Sequence, residues 1–431
     1  MRRLYSLAWW LALPLVLARL WWRGRKEPGY RRHMAERLGF YNAPSADKAI
    51  IWLHAVSVGE TRAAEPLIEA LLASYPEHTI LLTHMTPTGR ATGQSLFDKH
   101  GARIVQSYLP YDTGWMVGRF IRHFAPRLCI LMETEVWPNA VAQCVQHGVP
   151  VTLVNARLSQ RSLNKAHRLS ALMTEAARGL TCVAAQTEAD AVRLRQLGAP
   201  RVQVTGSIKF DVTPPAAALA TGAQLRAQIG ERPVLLCAST REGEEALILD
   251  AIESLAIRNA LLVIVPRHPQ RFDGVARMTA ERSIGMARRS ALNGNAISPD
   301  VRVLLGDSMG EMFAYYAACD LAFIGGSLLP LGGQNLIEAC ALGKPVLLGS
   351  HTFNFSAVSE DAIAAGAALR VADAPAMLTE ATRLLRDSGV RSAMGVQALA
   401  FAQQHRGATG RTMDLLKPLL SQTLPGGNQK G

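Results

Sequence analysis

The sequence has little that would hold a metal ion or a disulfide framework. Its six cysteines lie far apart, several of them within apolar runs, and no two form a C-x-x-C pair. Such spacing is typical of buried free thiols in a reducing compartment, not of a zinc site or a disulfide-rich secreted domain. The eleven histidines are equally dispersed, without an H-E-x-x-H pattern. We therefore predict no protein-bound metal and no metal cofactor.

Aromatic residues and acidic charge are also scarce. Aromatics make up 6% of the chain, and basic residues outnumber acidic ones to give a formal net charge of +12. Proteins that bind RNA usually stack bases on aromatic side chains within basic strips, so few aromatics argue against a nucleic-acid partner. The positive charge instead favours an anionic membrane surface or a phosphorylated substrate. A membrane-bound nucleotide-binding regulator or a nucleic-acid binder stays an alternative from another functional class.

Two common nucleotide motifs are missing, although the pattern of an α/β protein is present. Neither a G-x-G-x-x-G nor a G-x-x-x-x-G-K-[ST] sequence occurs, which disfavours a dinucleotide enzyme and a P-loop NTPase. Short apolar runs alternate with segments of helical periodicity, which indicates parallel sheets with helices on both faces. The runs are 50–55, 79–85, 104–110, 128–132, 149–155, 181–186, 202–207, 233–240, 261–268, 301–306, 321–327, 345–349 and 367–371.

A break in this alternation at residues 212–218, Val-Thr-Pro-Pro-Ala-Ala-Ala, divides the chain. We predict two Rossmann-like, doubly wound domains that face each other across a cleft, the default place for a ligand. The predicted ranges are an N-terminal helix with its basic flank (1–26), a first domain (27–211), a second domain (212–422) and a flexible tail (423–431).

The N-terminal segment Leu4–Trp22 is the one long apolar stretch. Its length is borderline for a bilayer-spanning helix, and Pro14 and Arg19 interrupt it. Four tryptophans lie at its middle and end, and basic residues flank both sides. The stretch ends without the small residues of a secretory cleavage site. We predict an uncleaved membrane anchor whose basic flank contacts the anionic lipids of the cytoplasmic leaflet, with a buried core helix as the alternative.

The turn after the first apolar run carries the candidate catalytic base. Residues 54–61, His-Ala-Val-Ser-Val-Gly-Glu-Thr, join a predicted strand to a predicted helix. Ligands of open α/β sheets gather beyond the carboxyl ends of strands, where Glu60 would lie. Ser57 and Glu60 also have the S-x-x-E spacing of a capping box, in which both side chains only satisfy helix N–H groups. Both interpretations stay open on this spacing alone.

Further charged residues follow the later strands of the first half. Glu133 and Glu135 come after the run 128–132 and would share one face if that strand continued through them. A desolvated acid is costly without a role or a partner, so we favour a ligand-facing position for Glu133. Glu135 is as well explained as a helix cap. Arg157 and Lys209 end the next strands and could neutralise an anionic group.

The second half contains a glycine-rich turn. Phe323–Ser327 runs into two glycines, and Gly332-Gly333 opens a predicted helix that carries Glu338. Glycines let backbone N–H groups approach a phosphate, and an ionised carboxylate can accept two hydrogen bonds from a ribose diol. Arg267, between two prolines, is suited to a base or a phosphate. Together these features favour a nucleotide-sugar site.

These motifs resemble those of the 3-deoxy-D-manno-octulosonic acid (Kdo) transferases of Gram-negative bacteria. The matching segments span nearly the whole chain in order: 23–26, 57–61, 85–89, 108–112, 132–135, 137–139, 155–159, 206–211, 265–269, 309–311 and 351–355. The family sequence His-Asn-Pro-Leu-Glu is replaced here by Gln-Asn-Leu-Ile-Glu at 334–338. The resemblance implies a GT-B fold, a CMP-Kdo donor, a lipid IVA acceptor (the lipid A precursor) and a place at the cytoplasmic face of the inner membrane.

The resemblance also implies roles for individual residues. Glu60 matches the family's proton acceptor, and Glu133 and Lys209 match its transition-state-stabilising positions. The CMP-contacting segments match Pro266, Arg267, Met309, Gly310, Glu311, Asn335, Leu336, Ile337 and Glu338. The expected reaction is an inverting, metal-independent transfer of Kdo, with CMP-Kdo as donor substrate and no cofactor. The alternative on the same fold is a UDP-sugar transferase or epimerase.

Overall fold

The structure is a computed structural model that describes residues 1–25, 27–41, 48–168 and 170–421. The chain forms two compact units, one of Met1–Asp211 with the chain from Arg406 onward, the other of Val212–His405. The predicted flexible tail 423–431 and Lys26 of the basic flank lie outside the described residues. Each unit is a doubly wound α/β domain, as predicted.

The first unit is built on a seven-stranded parallel sheet. Its strands are β1 (Ala49–His54), β2 (His78–His84), β3 (Ile104–Tyr108), β4 (Leu128–Met132), β5 (Val151–Ala156), β6 (Cys182–Ala185) and β7 (Val202–Val204). They lie in the order β3-β2-β1-β4-β5-β6-β7. All seven predicted runs contain a strand, and the five inner strands are almost entirely buried because helices cover both faces of the sheet.

Helices cover both faces of this sheet. They are α1 (Arg2–Arg23), α2 (Met34–Arg37), α3 (Val58–Ser74), α4 (Pro87–Phe97), α5 (Gly114–Phe124), α6 (Pro138–Gln146), α7 (Gln160–Arg168), α8 (Ser170–Arg178) and α9 (Glu188–Leu197). Alternate residues of β1 enter opposite cores, with Trp52 on the side of α5 and α6 and Leu53 on the side of α3. The sheet is therefore the middle layer of three.

The second unit repeats this architecture. Its strands are β8 (Val234–Thr240), β9 (Leu261–Pro266), β10 (Met286–Arg288), β11 (Val303–Leu305), β12 (Leu321–Ile324), β13 (Val346–Leu348) and β14 (Ala368–Arg370), in the order β10-β11-β9-β8-β12-β13-β14. Its helices are α10 (Ala216–Ile229), α11 (Glu244–Asp250), α12 (Phe272–Glu281), α13 (Met312–Ala318), α14 (Ile337–Ala341), α15 (Ser356–Ala364), α16 (Ala374–Arg386) and α17 (Ser388–Gln404).

The last described helix, α18 (Ala408–Ser421), belongs to the first unit. Its residues Leu416 and Leu420 join the core formed by β1 and α3. The Asp211 carboxylate accepts hydrogen bonds from the backbone N–H groups of Gly407 and Thr409, which fixes the return of the chain. The predicted second domain, 212–422, had included this helix, so its C-terminal limit differs from that of the observed unit.

Helix α1 lies along the first unit with two different faces. Leu13 packs with Tyr111 and Met116, and Trp9, Val16, Leu17 and Leu20 surround this cluster. The opposite face exposes Leu4, Leu7, Leu11, Leu15 and Trp22. Polar contacts hold the helix along its length, from Arg2 with Glu175 to the Trp21 carbonyl oxygen with Arg31. By length and composition it is apolar enough to cross a membrane.

Candidate active site

The strand-to-helix turn after β1 places Glu60 in the first turn of α3. Ser57 is the N-cap residue, but its side chain makes no cap hydrogen bond in the described part of the chain. Glu60 Oε2 instead accepts a hydrogen bond of 2.5 Å from the backbone N–H of Val56. Of the two capping-box contacts, only the one made by the Glu60 side chain has a counterpart here. It goes to the backbone N–H of Val56, one residue before the N-cap residue Ser57. The hydroxyl predicted to cap the helix is not used for that purpose.

The surroundings of Glu60 favour its protonated form. Burial raises the pKa of Glu60 to about 7, and the neighbouring carboxylates of Glu135 and Glu133 also raise it. The backbone N–H groups of Val56 and Ser57 act in the opposite direction. A carboxyl group with a pKa near neutral is partly ionised at pH 7 and binds a proton strongly enough to act as a general base. Simple helix caps do not need such a shift.

Glu133 directly follows β4, the strand that lies beside β1 in the sheet. The strand ends at Met132, and Glu133 has a left-handed backbone with φ of 54°. The strand does not continue through Glu133 and Glu135, so the condition under which they would share a strand face is not met. The Glu133 side chain is buried and its two oxygens each meet a cation, Lys209 Nζ at 2.7 Å and Arg157 Nε at 3.2 Å.

Asn155, at the end of β5, links Glu133 to the segment that carries Lys209. Its backbone is left-handed, its Nδ2 lies 3.4 Å from Glu133 Oε1, and its Oδ1 accepts from the backbone N–H of Ile208. Asparagine tolerates this conformation better than most residues. Sequence reasoning missed Asn155 as a member of the site. A buried amide at a strand end, next to Arg157, was the available signal.

Glu135 lies near this group without joining the ion pair. Its Oε2 accepts a 3.0 Å hydrogen bond from the indole N–H of Trp137, just before α6. Burial raises the pKa of Glu135, the indole N–H opposes that effect, and Glu133 adds to it. The first unit thus brings three carboxyl groups and two cations to the carboxyl ends of neighbouring strands. A site of this kind can take up a proton and stabilise an anionic substrate group.

The glycine-rich segment of the second unit follows β12 and is held by a buried carboxylate. A Cβ atom on Gly325 would lie 2.6 Å from the carbonyl oxygen of Ser239, so only glycine fits. Glu244 is fully buried and accepts from the backbone N–H groups of Arg241 (2.8 Å), Gly326 (2.6 Å) and Leu328 (3.0 Å). No local sequence pattern marks Glu244 as part of this turn. Its function of fixing the glycine turn depends on contacts between distant segments.

Asn335 and Glu338 are adjacent in the turn that enters α14. Asn335 Oδ1 accepts from the backbone N–H of Ile337, and its Nδ2 donates to Glu338 Oε1 at 3.2 Å. Gly332 and Gly333 both have positive φ, which gives this turn its shape. Leu336 and Ile337 are buried. These two apolar residues therefore pack the turn, while Asn335 and Glu338 supply its polar groups.

The remaining predicted CMP-contacting residues lie at neighbouring strand ends of the same sheet. Pro266 ends β9, and the backbone N–H of Arg267 donates to the carbonyl oxygen of Thr240. Glu311, just before α13, accepts from Ser308 Oγ (2.6 Å) and Arg289 Nη2 (3.2 Å). Gly310 has a φ of 83°, and the Met309 side chain is exposed. All these segments follow parallel strands, so they gather at one edge of the second sheet.

Comparison with solved structures defines the class of fold. Structures similar to this chain include HepE of Anabaena in complex with UDP (15% identity, 87% of this chain and 100% of that chain, TM-score 0.58). Another is a putative UDP-N-acetylglucosamine 2-epimerase of Listeria monocytogenes (14% identity, 89% of this chain and 99% of that chain, TM-score 0.58). Together with the two parallel sheets, these similarities define a two-domain fold of the GT-B type, as predicted.

The sequence comparisons are more specific. The profile of the 3-deoxy-D-manno-octulosonic-acid transferase (kdotransferase) family matches residues 32–212. A 3-deoxy-D-manno-octulosonic acid transferase of Bordetella pertussis is 47% identical over 97% of this chain and 99% of its own length. The enzyme of the same name from Haemophilus influenzae is 37% identical over 95% of this chain and 97% of its own length. The chain therefore belongs to the Kdo transferase family of glycosyltransferases, which confirms the resemblance.

Proposed function

We propose that this chain transfers Kdo from CMP-Kdo to lipid IVA in lipopolysaccharide synthesis, with inversion at the anomeric carbon and with Glu60 as the general base. The observation that carries the proposal is the position of Glu60: it is a partly buried carboxyl group at a strand-to-helix turn, with its pKa raised to about 7. Full-length similarity to Kdo transferases supports the transferred sugar.

In the proposed reaction, Glu60 takes the proton of an acceptor hydroxyl while the oxygen attacks the anomeric carbon of Kdo. The new carbon–oxygen bond forms as the bond to the phosphate oxygen breaks, and CMP leaves with the bonding electron pair. The ionised form of Glu60 is the active one, since only it can accept the proton. The carboxylate of Glu133 keeps Lys209 and Arg157 in place.

Lys209 and Arg157 supply positive charge in the proposed mechanism. A preformed ion pair can stabilise developing charge without having to reorganise in the transition state. We assign Glu133 and Lys209 to transition-state stabilisation, the carboxylate mainly by holding the cations. Charge from these side chains, together with a leaving group that is a stable phosphate monoester, is the basis for a metal-independent mechanism with no cofactor.

The second unit binds the CMP portion of the donor in this proposal. Glu338 is suited to accept hydrogen bonds from the ribose diol, with Asn335 fixing its orientation at 3.2 Å. Helix α14 has five residues, so its dipole contributes little, and the phosphate relies on the backbone N–H groups of the glycine turn and on Arg267. The segments of Pro266 and of Met309, Gly310 and Glu311 complete the CMP site.

We further propose that α1 attaches the enzyme to the cytoplasmic face of the inner membrane without crossing it. Contacts along its whole length, from Arg2 to Trp21, hold one face of the helix against the first unit. The other face carries the exposed leucines 4, 7, 11 and 15, which lie together at a helical period of 3.6 residues. Such a helix lies in the interface, where arginines contact anionic lipid headgroups and where lipid IVA is found.

The test is incubation of the purified protein with CMP-Kdo and lipid IVA, followed by mass analysis of the lipid. The proposal predicts a mass increase by one or more whole Kdo residues and the release of CMP. Competition with free nucleotides separates it from the alternative of a UDP-sugar transferase or epimerase. CMP should inhibit transfer and protect the second unit from proteolysis, whereas protection by UDP alone would favour the alternative.

A further inference from the structure

A single peptide group connects a buried histidine to Glu60. The carbonyl oxygen of Ala55 lies 3.0 Å from His84 Nδ1, and the N–H of Val56 donates to Glu60 Oε2 at 2.5 Å. These two atoms belong to the same planar amide, and in a trans peptide they point in opposite directions. His84 and Glu60 are thus at the two ends of one rigid dipole.

The hydrogen bonds of His84 define its tautomer. A carbonyl oxygen can only accept, so Nδ1 must carry the proton that bonds to Ala55. Nε2 is then an acceptor, and the side-chain amide of Gln106, oriented so that both of its ends are satisfied, donates to it at 3.0 Å and to the Arg90 carbonyl oxygen at 2.9 Å. His84 is fully buried. Its pKa is lowered to about 4, mainly by burial and slightly by Arg90, against the opposing hydrogen bonds with Ala55 and Gln106, so the ring is neutral at physiological pH.

The same loop is held at other points by the end of β2. The backbone N–H of Ala55 donates to the carbonyl oxygen of Thr83, and the backbone N–H of Met85 donates to the carbonyl oxygen of Val56. Thr61 Oγ1 donates to the Ser57 carbonyl oxygen at 2.8 Å and lies 3.5 Å from His84 Nδ1. Removal of the His84 contact therefore leaves the loop attached. What changes is the orientation and polarity of the peptide that meets Glu60.

We infer that His84 is a positioning residue for the catalytic base: its Nδ1–H holds and polarises the Ala55–Val56 peptide, which in turn holds the ionised Glu60 carboxylate. Hydrogen bonds in a chain strengthen one another, so a donor at the carbonyl end makes the N–H end a better donor. The inference rests on the proposed function of Glu60. It assigns to a core histidine of β2 a role in the reaction that the comparisons do not describe.

The expected effect is on the acid side of the pH–rate profile. Other groups that face Glu60 are Glu135 and Glu133, which oppose its ionisation, and Ser57 N–H, which favours it. Lys209 and Arg157 pair with Glu133, and His54 and Arg90 face His84. A change at His84 leaves Glu133, Glu135 and the cations that pair with Glu133 in place. Weakening of the Val56 N–H should therefore raise the pH at which Glu60 becomes ionised.

Two amide substitutions separate the two ring positions. His84→Asn places its side-chain N–H near the position of Nδ1 and can still donate to Ala55, whereas His84→Gln reaches toward the position of Nε2 and cannot. We expect kcat/KM for the acceptor to rise through pH 7 in the wild type and in His84→Asn. In His84→Gln the midpoint of this rise should lie about half to one pH unit higher, which is the size expected for one weakened hydrogen bond.

This shift distinguishes positioning from general damage. The His84→Gln loss should be about three- to tenfold at pH 6 and shrink below about twofold at pH 9, because Glu60 is then ionised in both proteins. His54→Gln is the matched control: His54 is an equally buried histidine on β1, but it bonds to Thr83, and its profile should keep the wild-type midpoint. A loss in His84→Gln that is equal at every pH would overturn the inference.

A spectroscopic measurement tests the inference without a variant, in case substituted proteins fold poorly. Long-range ¹H–¹⁵N correlation of the labelled wild-type enzyme should show His84 as the neutral Nδ1–H tautomer from pH 5.5 to 9. An Nε2–H tautomer would overturn the inference, because Nδ1 could not then donate to Ala55. Failure of the proposed function is distinguishable: Glu60→Gln would keep the pH-dependent rise if another group were the base.

Discussion

At the scale of single residues, the account depends on how carboxyl groups at the strand ends share charge. Glu60, Glu133 and Glu135 approach one another, but only Glu133 has cations within 3.2 Å on both oxygens. Glu133 is thereby paired with two cations, whereas burial and the neighbouring carboxylates raise the pKa of Glu60 to about 7. Carboxyl groups whose environments differ in this way can take different roles in one reaction.

Glu135→Gln should lower the pKa of Glu60, so that activity appears at a lower pH. Removal of the Glu135 charge lowers the pKa of Glu60, so the rise of kcat/KM should move to lower pH, by about half a unit. The measurement is the pH profile of Kdo transfer. Trp137→Phe, which keeps an aromatic ring and the Glu135 carboxyl group but removes the hydrogen bond to it, is the control. A rise at the wild-type pH in Glu135→Gln would contradict the assigned repulsion.

Glu60→Gln should stabilise the folded protein at high pH. The folded pKa of Glu60 is raised from 4.5 to about 7, so the stability that the group contributes is present below pH 4.5 and is lost as the pH rises through 7. Glutamine does not titrate. The difference in free energy of unfolding, variant minus wild type, should therefore grow by about 3 kcal/mol between pH 4 and pH 8.

Urea titrations of both proteins at pH 4 and pH 8 measure this difference, since groups that do not interact with Glu60 titrate alike in the two proteins. Gln403→Glu, which adds an exposed carboxyl group on α17 of the second unit, serves as the control for a titrating group away from Glu60. An equal difference at both pH values would mean that Glu60 keeps an ordinary pKa in the folded enzyme. A gain in stability with a loss of activity is the pattern expected of a residue kept for function.

At the scale of elements, the strands were predictable and several contacts were not. All thirteen predicted apolar runs contain a strand, and most of these strands are buried on both faces and therefore almost continuously apolar. The strands β3, β7 and β14, at sheet edges, are only partly buried. β10 (Met286–Arg288) escaped prediction, since it is a three-residue, half-buried edge strand that ends in arginine. The roles of Asn155, His84 and Glu244 depend on hydrogen bonds between segments far apart in sequence, which no local pattern contains.

Helix α1 gives an element-scale prediction about the membrane. The double substitution Leu11→Glu and Leu15→Glu places two charges on its exposed face and should reduce binding to vesicles of anionic phospholipid by at least about tenfold. The fold should be retained, because the packed face with Leu13 is unchanged. Vesicle flotation measures the bound fraction.

Val396→Glu is the matched control, an exposed apolar residue of the second unit that should leave flotation unchanged. If the double variant floated with vesicles as well as the wild type, the exposed leucines would not be the membrane-binding surface. Loss of circular dichroism signal would show that α1 had instead lost its packing.

At the scale of the whole molecule, two similar units divide the chemistry. The first unit carries Glu60 with the cations Lys209 and Arg157, and the second carries the glycine turn with Asn335 and Glu338. The order of motifs along the chain was enough to predict this division. The return of α18 to the first unit was not predictable, because it depends on packing of Leu416 and Leu420 against β1 and α3.

The central claim is that Glu60 removes the proton of the acceptor hydroxyl, and single-turnover transfer by Glu60→Gln tests it most directly. Donor binding and transfer are measured on the same protein, with radiolabelled CMP-Kdo and lipid IVA. The account predicts a CMP-Kdo affinity within about twofold of wild type and a transfer rate lower by about 10²- to 10⁴-fold. Transfer within a few-fold of the wild-type rate would contradict it.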